Sequence, residues 1–164
     1  MPDILPTNLL EPCLLEKLTD DEPGKSRESR TQRVITMQTY RKSVLRDLAW
    51  LLNTRVSATE NPLDDYPEVR QSVLNFGIRE FTGRTAGELL GPEFERRVTA
   101  AIATFEPRIL RHTLRVTIRA DARRYANNAL SFEIEGQLWA EPVSERLWVR
   151  TQVDLETGQM DLAG

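Results

Sequence analysis

Three residues late in a helical stretch, Glu106-Pro107-Arg108, form the most pointed grouping of chemical side chains in this sequence. A glycosidase needs two carboxyl groups about 5–9.5 Å apart, one of them kept protonated. Arg108, two residues from Glu106, favours the ionised form, the wrong direction for a general acid. No second carboxylate lies in an apolar context that would hold its proton. Nucleophilic hydrolysis is no better supported, because the chain has one cysteine, Cys13, one histidine, His112, and no G-x-S-x-G. His112 falls in phase with the apolar positions of 110–120 and reads as a core or sheet-margin histidine. Cys13 lies among leucines and reads as a small apolar residue. Gly77, Gly83, Gly87 and Gly91 do not fit a phosphate-binding loop. No catalytic residue, metal ligand, cofactor or small-molecule substrate is expected, and peptidoglycan glycoside hydrolysis stands as the alternative reading.

What remains are features suited to contact with other proteins. Pro107 ends a helix and would hold Glu106 and Arg108 in fixed, opposed directions, a rigid charged knob for a partner's complementary charges. The plainer reading is a helix stop with flanking charges. Trp139 and Trp148 fall out of phase with the apolar positions around them. With Arg150 beside them they suit a binding surface, or else packing under the N-terminal segment. Leu14, Leu15 and Leu18, with Leu9 and Leu10, make the apolar side of a short N-terminal helix that needs a surface to lie on. Arginine outnumbers lysine 19 to 3, a bias found at protein interfaces and also produced by GC-rich codons.

The elements that must position these residues follow from periodicity. The 164 residues suffice for one domain and an appendage. A composition 40% hydrophobic and 29% charged fits a globular chain. A net charge of −3 does not suggest a nucleic-acid partner. No apolar run is long enough to span a membrane, and the first residues have no secretory pattern, so a cytoplasmic location is expected. Met37, Tyr40, Val44, Leu48 and Leu51 recur at helical spacing and predict a helix over about 35–52, with Lys42, Arg46 and Asp47 on the other side. Residues 66–76 read as a short helix leading into Gly77, and 78–81 as a short strand or turn. A helical stretch over 82–90 is followed, after Gly91-Pro92, by a second long helix to about Phe105. Residues 110–120, 130–140 and 146–155 each alternate apolar and polar, predicting three antiparallel strands in a meander, with 146–155 as the free edge. The expected fold class is α+β: two long helices on one face of a small, mostly antiparallel sheet, with a tethered N-terminal helix. The expected organisation is a docking helix over 1–20, a polar linker over 21–34, a domain over 35–157 and a tail over 158–164.

Several segments taken together resemble a known family. They are Leu14-Leu15-Glu16-Lys17-Leu18-Thr19-Asp20-Asp21, Trp50-Leu51-Leu52-Asn53-Thr54-Arg55, the run from Tyr66-Pro67-Glu68 to Asn75-Phe76-Gly77, and Glu106-Pro107-Arg108. In this order they resemble the TssE-type baseplate subunit of bacterial type VI secretion systems, which is similar to a phage baseplate wedge protein of a misleadingly named "lysozyme-like" family. The resemblance implies a structural subunit with no muramidase activity. It would touch the other wedge subunits through Glu106, Pro107 and Arg108, and nucleate the first ring of the contractile sheath. It would work on the cytoplasmic side of the inner membrane.

Overall fold

The computed structural model describes residues 10, 12–19, 24, 35–56, 63–79, 92–119, 129–140 and 144–163. The expected helical stretch over 82–90, most of the linker and the first nine residues lie outside them. Two helices dominate. The first long helix, α2 (Met37–Asn53), follows a single-turn helix, α1 (Leu14–Leu18). The Thr36 hydroxyl caps α2 by accepting from the Thr39 N–H at 3.2 Å. Its interior face is the predicted apolar stripe, with Val44, Leu48, Leu51 and Leu52 buried.

After α2 come a two-residue strand β1 (Arg55–Val56), the short helix α3 (Pro67–Gln71), and β2 (Ile78–Arg79), which pairs in parallel with β1. The ambiguous run 66–76 splits at Ser72, whose hydroxyl accepts from the Leu74 N–H and starts a separate 3₁₀ turn over Val73–Asn75. Gly77 makes the parallel pairing possible. Its φ is +126°, and a Cβ there would sit 2.4 Å from the Thr54 carbonyl oxygen, the atom that accepts from the Ile78 N–H. The second long helix, α4 (Pro92–Phe105), begins at a proline, as first helical turns tolerate, and stops before Pro107.

Four antiparallel strands follow in the order β3 (Arg115–Arg119), β4 (Ala129–Leu138), β5 (Glu145–Asp154) and β6 (Met160–Ala163). The meander is as expected, with two corrections. The first strand starts at Arg115, not near 110, because Thr113 folds back on Leu110 with both its N–H and its hydroxyl and closes a 3₁₀ turn over Arg111–Thr113. His112 is therefore an exposed turn residue and not a core or sheet-margin histidine. The second concerns the expected tail. Gly158, at φ 72°, closes a tight hairpin, and residues 160–163 add a fourth strand along β5. The strand over 146–155 is thus interior for part of its length rather than a free edge.

Among the described residues one buried apolar cluster contains side chains of both long helices and of the sheet, with Phe94 of α4 edge-on to Phe132 of β4 at 5.3 Å between ring centres. The sheet margins differ. At β3, the Glu95 carboxylate of α4 accepts the outward Ile118 N–H at 2.8 Å. At β6, Asn53 bonds both main-chain groups of Met160, which shows that they point outward, and alternation turns those of Leu162 the same way. β6 pairs no further along β5 than Arg150. Beyond that point Arg41 reaches the carbonyls of Arg146 and Trp148 at 3.4 Å.

Candidate partner-docking site

The Glu-Pro-Arg turn is a consequence of how α4 ends. The Glu106 N–H still bonds the Ile102 carbonyl at 2.8 Å, and Pro107 then ends the helix. Glu106 comes to rest 3% exposed. Arg108 folds back over the proline, its Nε donating to Glu106 Oε1 at 2.7 Å and its Nη2 to Oε2 at 2.6 Å. The expectation that the two charges point in opposed directions is therefore corrected: they face each other in a two-point ion pair. The reason is cost. A carboxylate buried to this degree without a cation would lose more hydration energy than it could recover.

The same guanidinium binds α2. Nη2 lies 2.5 Å from Asp47 Oδ2, and Nη1 donates to the Ser43 hydroxyl at 3.0 Å. Ser43 in turn donates to the Tyr40 carbonyl at 2.9 Å, and the Tyr40 ring lies 6.0 Å from the guanidinium carbon. Burial works against the charge on Arg108, but its bonds to Glu106 and Asp47 outweigh that and hold it protonated well beyond the ordinary arginine range. Asp47, assigned from periodicity to the far side of α2, is thus a structural ligand of the turn.

The network continues toward the N-terminus. Asp47 Oδ1 accepts from Arg46 Nε at 2.9 Å, and Arg46 reaches Glu16 of α1 at 3.8 Å and packs over the Trp50 ring at 5.1 Å. Glu16 also accepts the Cys13 N–H at 2.8 Å, capping α1. Burial alone would raise the Glu16 pKa, but the Cys13 main-chain bond and Arg46 bring it below the usual carboxylate value. Leu10 anchors the segment, being buried and bridged to Ile35. Leu14 (72% exposed), Leu15 and Leu18 (75%) point away from the domain.

Main-chain bonds tie the turn to the sheet. The Trp139 N–H donates to the Arg108 carbonyl at 2.7 Å and the Leu110 N–H to the Gln137 carbonyl at 2.9 Å. Gly136 permits this approach, since a Cβ there would lie 2.9 Å from the Ile109 γ-methyl. One assembly therefore gathers Glu106, Pro107, Arg108 and Trp139, with α1 and its leucines linked through Arg46. Trp148 and Arg150 are not part of it. They lie on the outer face of β5, with the Arg150 guanidinium 5.5 Å from the Trp148 ring. Ser43, Arg46 and Asp47 were missed by periodicity. Their signal was two polar side chains four apart, Ser43 and Asp47, flanking an apolar helical stripe.

Chemically, this is a rigid surface with its charges already paired. Both Glu106 oxygens are occupied, so the turn offers no free acid. The open groove between α4 and β3 is lined by Glu95, Thr99, Arg115 and Val116 among others, and its carboxylate is held by the Ile118 N–H. Among the described residues, no group of three or more His, Cys, Asp or Glu side chains is placed to hold a metal ion.

A family model described as "Baseplate wedge protein gp25" matches residues 38–143. The chain belongs to this family. The match in this wedge-family chain begins at α2 and ends after β4. It therefore includes the whole Glu106–Arg108–Asp47 network, while α1, β5 and β6 fall outside it. The family supports a structural role in a phage-like baseplate, in contact with other baseplate proteins. The chain has no significant match among curated proteins or among solved structures. No helix among the described residues is long and apolar enough to cross a membrane.

Proposed function

We propose that this wedge-family chain is a non-enzymatic subunit of a type VI secretion system baseplate, joining wedge proteins and templating the first ring of the contractile sheath. The observation that carries the reading is the Glu-Pro-Arg turn. It is bonded to α2, to the end of α4 and to β4, and it leaves Pro107 and Trp139 exposed. A docking point gains affinity when its geometry is fixed before the partner arrives. Glu106 and Arg108 set the turn's shape, Pro107 and Trp139 meet a wedge partner, and Trp148 with Arg150 meet a second partner. Leu14, Leu15 and Leu18 on a tether over 21–34 add a separate contact that raises effective concentration. The main domain, expected over 35–157 and extended by β6, packs its two long helices on one sheet face, and strand edges extend a sheath sheet by main-chain bonding. The protein works in the cytoplasm, on baseplates docked at the inner membrane.

The test is co-purification of the full chain with its wedge subunits. Trp139→Ala keeps Pro107 as the helix stop and spares the ion-pair network, so far-UV dichroism should stay unchanged while recovered wedge complex falls by about tenfold or more. Undiminished complex would reject the docking role of the turn. Purified protein should leave a peptidoglycan suspension turbid, and clearing abolished by Glu106→Gln would establish the hydrolase reading instead.

A further inference from the structure

The outer face of the sheet is balanced in charge but uneven along its strands, while the chain as a whole is acidic. The chain is net −3. On that face, β3 presents Arg115 and Arg119, β4 presents Glu133 and Glu135, β5 presents Arg146, Arg150 and Asp154, and β6 presents Asp161; the four charges of each sign balance, but Asp154 and Asp161 lie at the end of the sheet away from Arg115 and Arg146. The glutamates are not equivalent. Glu133 is enclosed between Arg119, 2.7 Å away, and Arg150, 3.4 Å away. Glu135 meets only Arg146, at 3.9 Å, and Arg115 beside it makes no ion pair with any described residue. Trp148 lies in the same cross-strand row as Arg115 and Glu135, 38% exposed.

We propose that this face docks an acidic segment of a partner protein, whose carboxylates meet Arg115 and Arg146 while an apolar side chain covers Trp148. The inference rests on the reading of the chain as a docking subunit and names the chemistry of one partner. The two interleaved glutamates favour a protein over a uniform polyanion. A phosphate backbone or an anionic membrane would place negative charge over Glu135, whereas a polypeptide can set its acids opposite the arginines and leave that position neutral. The surrounding arginines would steer such a segment inward, and the tryptophan would anchor it.

The test titrates the full chain against a short fluorescent peptide of alternating Glu and Ser with one central Leu, at low ionic strength. Saturable binding is expected, weakened about tenfold by Arg115→Glu with Arg146→Glu and about threefold by the neutral pair Arg115→Gln with Arg146→Gln. The same charge change placed on the helices, Lys42→Glu with Arg96→Glu, should leave affinity within about twofold. Trp148→Ala should weaken the Leu-containing peptide and not its all-polar analogue. Absence of saturable binding, an equal loss in the helix control, or tighter binding of duplex DNA or phosphatidylserine vesicles than of the peptide would overturn the proposal. Those results leave the Trp139 co-purification untouched, so failure here and failure of the wedge reading can be told apart.

Discussion

Arg108 holds the Glu-Pro-Arg turn together, and its removal should show what a buried carboxylate costs. Arg108→Ala leaves Glu106 enclosed and unpaired, and the domain should lose about 3–5 kcal/mol in denaturant unfolding. Arg108→Lys keeps the charge but cannot make the two-point contact with Glu106 while also reaching Asp47 and Ser43. It should recover part of that loss and not all of it. Thr151 presents the opposite case. Its hydroxyl is fully buried on β5 and finds no hydrogen-bond partner among the described residues. Thr151→Val removes an unsatisfied group with little change of shape, so the midpoint of urea unfolding should rise by about 1 kcal/mol equivalent. Neither partner of Arg108 on α2 was legible in advance. Helical periodicity sorts residues by angle around the axis, and Ser43 and Asp47 sit at the flank of the stripe, where angle alone does not separate a solvent-facing side chain from one facing a neighbouring turn.

Between elements, the decisive contact is the one that Gly136 allows. A β-strand interior normally gains from a side chain, and this one omits it so that Ile109 can press against the sheet. Gly136→Ala should cost about 1–3 kcal/mol through overpacking against a buried, branched side chain. It should also shift the Trp139 indole resonance in a ¹H–¹⁵N spectrum, because the turn and Trp139 are joined by a main-chain bond. The longer elements were legible for a simple reason. Period-two alternation over 130–140 and 146–155 is broken only at Trp139, Trp148 and Thr151, and the stripes of α2 and α4 extend over several turns. The same alternation over 110–114 misled because a turn closed by the Thr113 side chain imposes no periodicity of its own. The short strand β6 carries too few residues for a pattern. Its signal lay in the hairpin before it, where the Asp154 carboxylate accepts the N–H groups of Glu156 and Thr157 and Gly158 takes the left-handed position.

For the whole molecule, the carboxylates set the limits of stability with pH. Glu133 is held below its ordinary pKa first by its bond to Arg119. Asp154 is lowered by the main-chain N–H groups of Thr157 and Glu156, and Glu93 by its bond to Arg97. A carboxylate with a lowered pKa in the folded state contributes stability above its unfolded value and loses it as pH falls through the folded one. Thermal midpoints should therefore hold between neutrality and about pH 5 and drop below about pH 4. Glu133→Gln should make that acid limb shallower. Arg119 and Arg150 are more than half exposed, so added salt should weaken the Glu133 contribution.

The carboxylate that Glu95 places on the outward N–H of Ile118 bears on growth. It occupies one outward donor of β3, as Asn53 occupies both outward main-chain groups of Met160 on β6, so each flank of the sheet carries a side-chain cap from the same polypeptide. A strand arriving at either flank has to displace such a side chain before it can pair at the capped position. Isolated copies are thereby guarded against joining edge to edge into a fibre.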